Sequence, residues 1–264
     1  MTSTSPLTGK RRRSRPAIGP ALQWLLLTLL ACAVFTLWPG IDLAVSDAAM
    51  RAAGDPEAGA PRYGWGAHPL VQASYWSVPT LGRLALLASL VLWAWRRPLH
   101  SAFWRRWRGR APWIVAMLVL GVWLLVNEGF KEHWGRPRPG AVATLGGEQP
   151  FRSIAQPSAL CASNCSFPSG HAAQGYALMV VGLLGAPHRR RAWVRAGLVA
   201  GLLIGAGRVL QGGHFLSDIL FAGLLIWGVT LLLRTVAVRR RWQRLQAHRA
   251  APVISRSRAL SNIG

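Results

Sequence analysis

Six apolar segments, each about 17 to 20 residues long, follow one another along the chain between short polar connections, and a helix of this length crosses the hydrocarbon core of a bilayer. The connections are too short to fold by themselves. The sequence therefore predicts one all-α domain, a polytopic membrane bundle of six transmembrane helices over residues 18–236, with basic tails at 1–17 and 237–264. The predicted spans are 18–37, 79–95, 111–130, 170–186, 192–210 and 215–233.

Positive charge gives these spans an orientation. The chain has 31 Lys+Arg against 8 Asp+Glu, and cytoplasmic connections of membrane proteins are enriched in Lys and Arg. The N-terminal tail, 96–110, 189–195 and the C-terminal tail are strongly basic, and all four lie on one side of a six-span bundle. That side, with both termini, is predicted to be the cytoplasm. No recognition motif or aromatic platform accompanies the arginine runs, so no nucleic-acid partner is predicted.

The first apolar segment has two interpretations. It could be a cleaved signal, since residues 29–32 resemble a lipoprotein cleavage site. The apolar run continues beyond Cys32 to Trp38, and this favours a retained first span. The residues that follow, 39–79, are rich in Gly, Pro and Ala and predict a loop.

A carboxylate near the last apolar segment is the most informative polar residue. Asp218 follows His214 by four residues, one helical turn, so the two side chains would share a helix face. A carboxylate placed there can select the tautomer of the imidazole and leave the other ring nitrogen free as a nucleophile or base. The alternative is a polar helix cap at the membrane boundary.

Two further polar clusters lie on the same, outward side of the predicted bundle. Lys131 is one of two lysines in the chain and precedes Arg136 and Arg138, a combination suited to phosphate oxygens; the alternative is a basic anchor for lipid headgroups. Ser169 and Gly170 begin the fourth predicted span, where free amides could bind an anion beside His171. An ordinary capped helix terminus is the alternative there.

Together the three clusters resemble the three-part signature of the type 2 phosphatidic acid phosphatase (PAP2) superfamily, which includes membrane lipid phosphatases and soluble vanadium haloperoxidases. The matching positions are Lys131, Arg138, Pro139, Pro168, Ser169, Gly170, His171, Arg208, His214 and Asp218. One position departs from the family pattern, because Gly207 stands where the family usually has serine. Arg136 has the same local context as Arg138, and the family spacing favours Arg138.

The resemblance implies a PAP2/haloperoxidase-like helical core and a reaction through a phosphohistidine. His214 would be the nucleophile, Asp218 would orient and polarise it, and His171 would protonate the leaving group. The phosphoryl oxygens would be held by Lys131, Arg138, Ser169, Gly170 and Arg208. The scheme needs no cofactor and no metal, and the sequence has no cluster of carboxylates suited to one.

The segment from Cys161 to His171 is also similar to bacterial members that include lipid A phosphatases. The two cysteines there, Cys161 and Cys165, could form a disulfide outside the membrane or remain buried thiols. We therefore expect a multi-pass protein of the bacterial inner membrane with a periplasmic active site and a phosphorylated lipid as partner. The motifs do not choose between lipid A, polyprenyl diphosphate, phosphatidylglycerol phosphate and phosphatidic acid, and they say nothing about oligomeric state.

Two alternatives for the function stay open at this stage. A lipid phosphotransferase would use the same intermediate and discharge it to a lipid hydroxyl. A non-catalytic lipid-binding protein or transporter would keep the phosphate pocket, but it would need neither the nucleophile nor the acid.

Overall fold

The computed structural model describes residues 19–52 and 62–261, and in these ranges the chain forms seven α-helices and no strand. The all-α prediction is confirmed, whereas the predicted tail 1–17 lies outside the described residues. The helix α4 continues as a π-helix, Met117–Lys131, and α5 continues as a 3₁₀-helix, Ala177–Gly182. The α-helices are α1 Pro20–Leu37, α2 Gly40–Arg51, α3 Pro69–Ala94, α4 Ala102–Ala116, α5 Gly170–Tyr176, α6 Pro187–Leu210 and α7 Leu216–Ser261.

Five helices are long and apolar enough to cross a membrane. They are Pro20–Leu37, Pro69–Ala94, Ala102–Lys131, Pro187–Leu210 and Leu216–Ala247. The fourth predicted span, 170–186, is instead short, with the 7 α-helical residues of α5 and the 6 residues of its 3₁₀ continuation. Its side chains are almost all buried by the surrounding helices. The count of six spans therefore stays a prediction, while the polytopic helical bundle is confirmed.

Close packing of α5 against α6 fixes the short helix in the centre of the bundle. Gly197, Gly201 and Gly205 recur at intervals of four along α6 and form a strip of small residues, as is common where membrane helices approach closely. A Cβ at Gly201 would lie 2.4 Å from the ring of Tyr176, so only glycine permits this approach. The end of α5 is therefore fixed against α6 by this contact.

The prediction of a loop over 39–79 was wrong for two parts of that segment. Gly40–Arg51 is the helix α2, and α3 begins at Pro69, well before the predicted start of the second span. Asp42 in the first turn of α2 is 1% exposed, because it accepts hydrogen bonds from Ser217 in α7. A long-range polar contact thus stabilises a helix that hydropathy alone does not reveal.

Candidate active site

His214 lies fully buried in the short connection between α6 and α7. Its Nδ1 is 2.6 Å from the backbone oxygen of Ser166, so Nδ1 carries the proton and donates it to that carbonyl. Its Nε2 is buried and makes no hydrogen bond to any described residue. This tautomer leaves the lone pair of Nε2 available for chemistry, which is the state that a nucleophilic imidazole needs.

Burial also controls the charge of His214. Removal from solvent lowers the pKa of His214 to about 3, and the nearby carboxylate of Asp218 opposes the effect only in part. The charges of Lys131 and Arg208 lower this pKa further. The imidazole is therefore neutral at physiological pH, and its Nε2 is not blocked by a proton.

Asp218 occupies the first turn of α7 and is fully buried. Its Oδ2 accepts hydrogen bonds from the hydroxyl of Ser166 at 2.5 Å and from the backbone N–H of Phe215 at 2.7 Å. The second bond is the acidic half of a capping box and helps to start α7. The distance from Oδ2 to Nδ1 of His214 is 3.7 Å, too long for a good hydrogen bond. Ser166 therefore links the pair, since its carbonyl orients His214 and its hydroxyl binds Asp218.

Arg136 is fully buried, and its guanidinium is committed to the protein itself. It donates to Asp218 at 2.5 Å, to Asp42 at 2.8 Å and to Ser217 at 2.8 Å. Its Nε donates to the backbone oxygen of Arg152, and the ring of Phe215 lies 4.2 Å from its Cζ. Of the two Arg-Pro positions, Arg136 is thus structural, because these partners leave it little capacity for a substrate phosphate.

Arg138 is half-buried and is held by its backbone surroundings rather than by an acid. Its Nε and one terminal nitrogen donate to the carbonyl of Asn164, at 3.2 and 2.7 Å. The N–H of Asn164 in turn donates to Glu132 at 3.0 Å. These bonds leave the other terminal nitrogen of Arg138 free for an anion.

A disulfide joins Cys161 to Cys165 and encloses Asn164. Of the two states left open by the sequence, the structure has the disulfide. Asn164 adopts a left-handed conformation with φ 50, which asparagine tolerates better than most residues. The small ring therefore presents the Asn164 carbonyl to Arg138.

The predicted cationic residues come close enough to act on one another and on both histidines. Lys131 is 7% and Arg208 5% exposed, and the charges of Arg138 and Arg208 act on both Lys131 and His171. Four cations and two buried carboxylates meet in this region, beside the exposed Glu132, and the six side chains other than Glu132 carry an excess of two positive charges. They are Lys131, Arg136, Arg138, Arg208, Asp42 and Asp218. Such an excess matches a phosphate dianion.

The start of α5 is partly occupied by its own hydrogen bonds. Ser169 caps the helix with its hydroxyl, at 3.4 Å from the N–H of Ala172, and its own N–H donates to the backbone oxygen of Asp218 at 3.1 Å. The N–H groups of Gly170 and His171 have no acceptor among the described residues. A Cβ at Gly170 would lie 2.5 Å from Oδ1 of Asn127, so this glycine also permits a close contact with the third span.

His171 is half-buried at the rim of the site. Its ring stacks on Tyr75 of α3, with centroids 5.0 Å apart, and its Nε2 lies 3.2 Å from the carbonyl oxygen of the same residue. Arg208 contacts the Tyr75 ring as well, with its Cζ 4.7 Å from the centroid. Tyr75 thus positions one predicted acid and one predicted phosphate ligand together.

Gly207, the departure from the family pattern, lies next to α3. A Cβ there would meet Oγ of Ser74 at 3.5 Å and Cγ1 of Val71 at 3.8 Å, which are ordinary contact distances. A serine would therefore fit, and packing does not explain the glycine.

Four residues of this arrangement were assigned no role from the sequence: Asp42, Tyr75, Ser166 and Ser217. Asp42 did carry a signal, since it is an acid between Ile41 and Leu43 in a basic protein. The other three are common residue types whose contacts arise only from the fold. The predicted residues His171, His214, Lys131, Arg138 and Arg208 all lie in one region with Asp218.

Comparisons with known proteins find relatives of this chain. Residues 110–243 match the PAP2 superfamily. The chain is 34% identical over 213 residues to the Lipid A 4'-phosphatase of Rhizobium leguminosarum, covering 77% of this chain and 89% of that protein. It is 32% identical over 219 residues to the Lipid A 4'-phosphatase of Rhizobium etli, covering 79% and 83%.

A third relative is matched over a shorter stretch. The Lipid A 4'-phosphatase of Francisella tularensis subsp. novicida is 35% identical over 137 residues, which is 52% of this chain and 62% of that protein. The match thus spans less than two thirds of the Francisella protein's length. No solved structure matches the chain significantly.

Proposed function

The chain belongs to the PAP2 superfamily, and on this premise we propose that it is a lipid A phosphatase of a bacterial inner membrane. The proposed reaction hydrolyses a phosphate monoester of lipid A at the periplasmic face, through a phosphohistidine. The coarser statement, a membrane phosphatase acting on lipids, rests on family membership and on the apolar spans. Lipid A as the substrate rests on the names of the three relatives.

One observation carries the proposal: the Nε2 of His214 is buried and unprotonated, and it has no hydrogen-bond partner among the described residues, beside an excess of positive charge. A polar atom buried without a hydrogen bond is unfavourable unless another group meets it during function. Phosphorus in a phosphate held by the surrounding cations is the electrophile that suits this atom. A protein that only binds phosphate would have no use for it.

In the first step Nε2 of His214 attacks phosphorus, and the bond from phosphorus to the lipid oxygen breaks. Burial and the charge of Arg208 lower the pKa of His171 to about 4, so the proton that it donates is one that the substrate phosphate brings into the site. His171 passes this proton to the lipid oxygen, and the lipid leaves as an alcohol. Because Nε2 of His171 faces the carbonyl of Tyr75, the proposed donor is its Nδ1. Lys131, Arg138 and Arg208 stabilise the charge that develops on the phosphoryl oxygens.

In the second step a water molecule attacks the phosphohistidine and the N–P bond breaks. His171, now neutral, takes a proton from this water, and inorganic phosphate leaves. Nδ1 of His214 donates to the carbonyl of Ser166 throughout, so the ring keeps the orientation needed to attack and to depart.

The orientation in the membrane is part of the proposal. The three site clusters lie in connections opposite to the basic ones, and the rule of positive charge inside then supports a periplasmic site. Both termini are proposed to be cytoplasmic.

The test is release of phosphate from lipid A by the purified protein in detergent, with a chelator present. We expect release by the wild type and a loss of at least about 1,000-fold in His214→Asn, because the covalent route is removed. Activity that disappears with the chelator would contradict the metal-free reaction. Release by the variant at the rate of the wild type would overturn the role of His214.

A second measurement separates hydrolysis from phosphotransfer. Brief reaction with lipid A labelled in the phosphate should leave label on the protein, stable in base and labile in acid, and absent in His214→Asn. When a second lipid with a free hydroxyl is added, we expect the label to appear as inorganic phosphate. Label on the added lipid would replace the hydrolase by a transferase with the same intermediate.

A further inference from the structure

An apolar cavity lies beside the candidate active site, and several of its wall residues, among them Leu81 and Phe103, are exposed on the outside of the bundle. A cavity of about 960 Å³ runs between α3, α4, α5 and α6. This is the size of a site for a small molecule, and it is too small for another protein helix with its side chains. Ser89 and Gln174 are the polar side chains of its wall apart from the tryptophan indoles.

The cavity begins close to the site of phosphate chemistry. Gln174 follows His171 by three residues in α5, so the two side chains are neighbours on one helix face. On α3 the wall starts at Val78, three residues after Tyr75, whose ring stacks on His171. The cavity and the candidate active site are therefore about one helical turn apart along both helices.

From this end the cavity extends through the bundle along α3. Its wall runs from Val78 in α3 to Trp95, directly after that helix, which corresponds to about 25 Å along the helix axis. The far end is lined by aromatic residues, among them Phe103, Trp104 and Trp107. A long, narrow and apolar space of this kind, parallel to a membrane-spanning helix, fits an extended hydrocarbon chain.

Gln174 places a hydrogen-bond acceptor at the end of the cavity near the active site. Its Oε1 is buried and has no hydrogen-bond partner among the described residues. The amide lies directly against Gly82, where a Cβ would be 2.7 Å from Oε1, so α3 leaves room for this side chain. An acceptor that is unpaired in an otherwise apolar wall indicates a ligand that brings a donor to this depth.

Resting on the proposed function, we propose that the cavity binds an acyl chain of the lipid substrate and that Gln174 accepts a hydrogen bond from that chain. The donor is the amide N–H through which the chain is attached, about one helical turn from the phosphorus under attack. Lipids whose chains are attached only through esters have no such donor. The cavity thus selects among lipid phosphates by the chemistry of their acyl chains.

The experiment compares two synthetic lipid phosphates that have equal chain lengths and differ only in an amide or an ester linkage of one chain. The wild type should prefer the amide in kcat/KM by about tenfold, the size expected for one buried hydrogen bond. Gln174→Met keeps the volume of the side chain and removes the acceptor, so this preference should disappear. Gln23→Met makes the same change on α1, away from the cavity, and should keep the preference.

A soluble substrate separates the failure of this inference from the failure of the proposed function. Gln174→Met should hydrolyse p-nitrophenyl phosphate at the rate of the wild type, because this substrate has no acyl chain. If no variant and no wild type releases phosphate from any substrate, the proposed function fails. If all are active but the wild type shows no preference, or Gln174→Met keeps it, the acyl-chain site is overturned.

A second variant tests the cavity itself. Ala85 lies in its wall on α3, and Ala85→Phe would fill part of the space. We expect KM for long-chain lipid phosphates to rise about tenfold, since the chain loses buried apolar contact, while p-nitrophenyl phosphate hydrolysis is unchanged. An unchanged KM over a series of chain lengths would show that the substrate chains do not enter the cavity.

Discussion

Arg136 and Arg138 stand two residues apart, each followed by a proline, yet their surroundings differ completely. Arg136 is surrounded by Asp42, Ser217 and Asp218, whereas Arg138 touches a single backbone carbonyl. The residue that is paired within the protein stabilises the fold, and the one that retains free donors is available to a ligand. Sequence context alone could not separate them, because both share the Arg-Pro pattern.

Substitution of Arg136 should therefore reduce stability, whereas substitution of Arg138 should reduce activity. Arg136→Ala leaves two buried carboxylates without their cation, and we expect a loss of about 3 to 5 kcal/mol in the free energy of unfolding. Arg138→Ala should leave stability unchanged and lower kcat by about 100-fold. Thermal unfolding in detergent and phosphate release measure the two effects. Equal destabilisation by both variants would contradict the division of roles.

The buried His214 should make the protein sensitive to acid in a defined direction. Its pKa is about 3 in the fold and 6.5 when the chain is unfolded, so the unfolded state binds more protons between these values. Above pH 6.5 this difference in proton binding has no effect on stability. As the pH falls below 6.5, the free energy of unfolding of the wild type decreases. His214→Asn has no such group. From pH 7 to 5 the variant should gain about 2 kcal/mol relative to the wild type in denaturant unfolding.

If the free energies of unfolding of the wild type and His214→Asn differ by the same amount from pH 7 to 5, His214 keeps its ordinary pKa. The comparison is matched, because asparagine preserves the size of the ring edge and can still donate to Ser166.

At the scale of elements, the connection between the third span and α5 is held in place by a disulfide and a few hydrogen bonds. The ring closed by Cys161 and Cys165 contains Asn164. The carbonyl of Asn164 accepts a hydrogen bond from Arg138, and its N–H donates to Glu132. The disulfide closes only a very short loop, so its entropic contribution to stability is small. Its main effect is on the position of Arg138.

Replacing both cysteines by serine should therefore lower kcat/KM by about tenfold, through misplacement of Arg138, with little change in thermal stability. In the background of Arg138→Ala the same replacement should have no further effect, because the two changes act through one contact. Independent, additive losses would mean that the disulfide acts elsewhere. Reduction with a membrane-permeant thiol provides a second comparison.

The sequence was informative about elements where hydropathy or a motif acts locally. The long apolar helices and the order of the three clusters follow from the residues in those segments. The helix α2 was missed because its stabilising contact joins Asp42 to Ser217, which is far away in the chain. The short α5 was predicted as a full span because its residues are apolar; its burial by α6 is visible only in three dimensions.

At the scale of the whole molecule, α5 is surrounded by α3, the third span, α6 and α7, and the basic connections lie at one end of the bundle in the proposed topology. A fusion of a reporter that is active only in the periplasm should give no signal at either terminus. The same reporter inserted at Gly147, in the connection that follows Lys131 and carries Arg138, should give signal. Signal at the C-terminus would overturn the orientation and, with it, the periplasmic site.

The Arg136 network also has a consequence for the biogenesis of the enzyme. It joins α2, the connection after the third span and the start of α7, so Asp218, which lies beside His214, is fixed only after the last helix has been inserted. Contacts between such distant parts of a chain form late in folding. Molecules in which insertion is incomplete would therefore be inactive. The specific activity of a preparation would then report the fraction of completely assembled molecules.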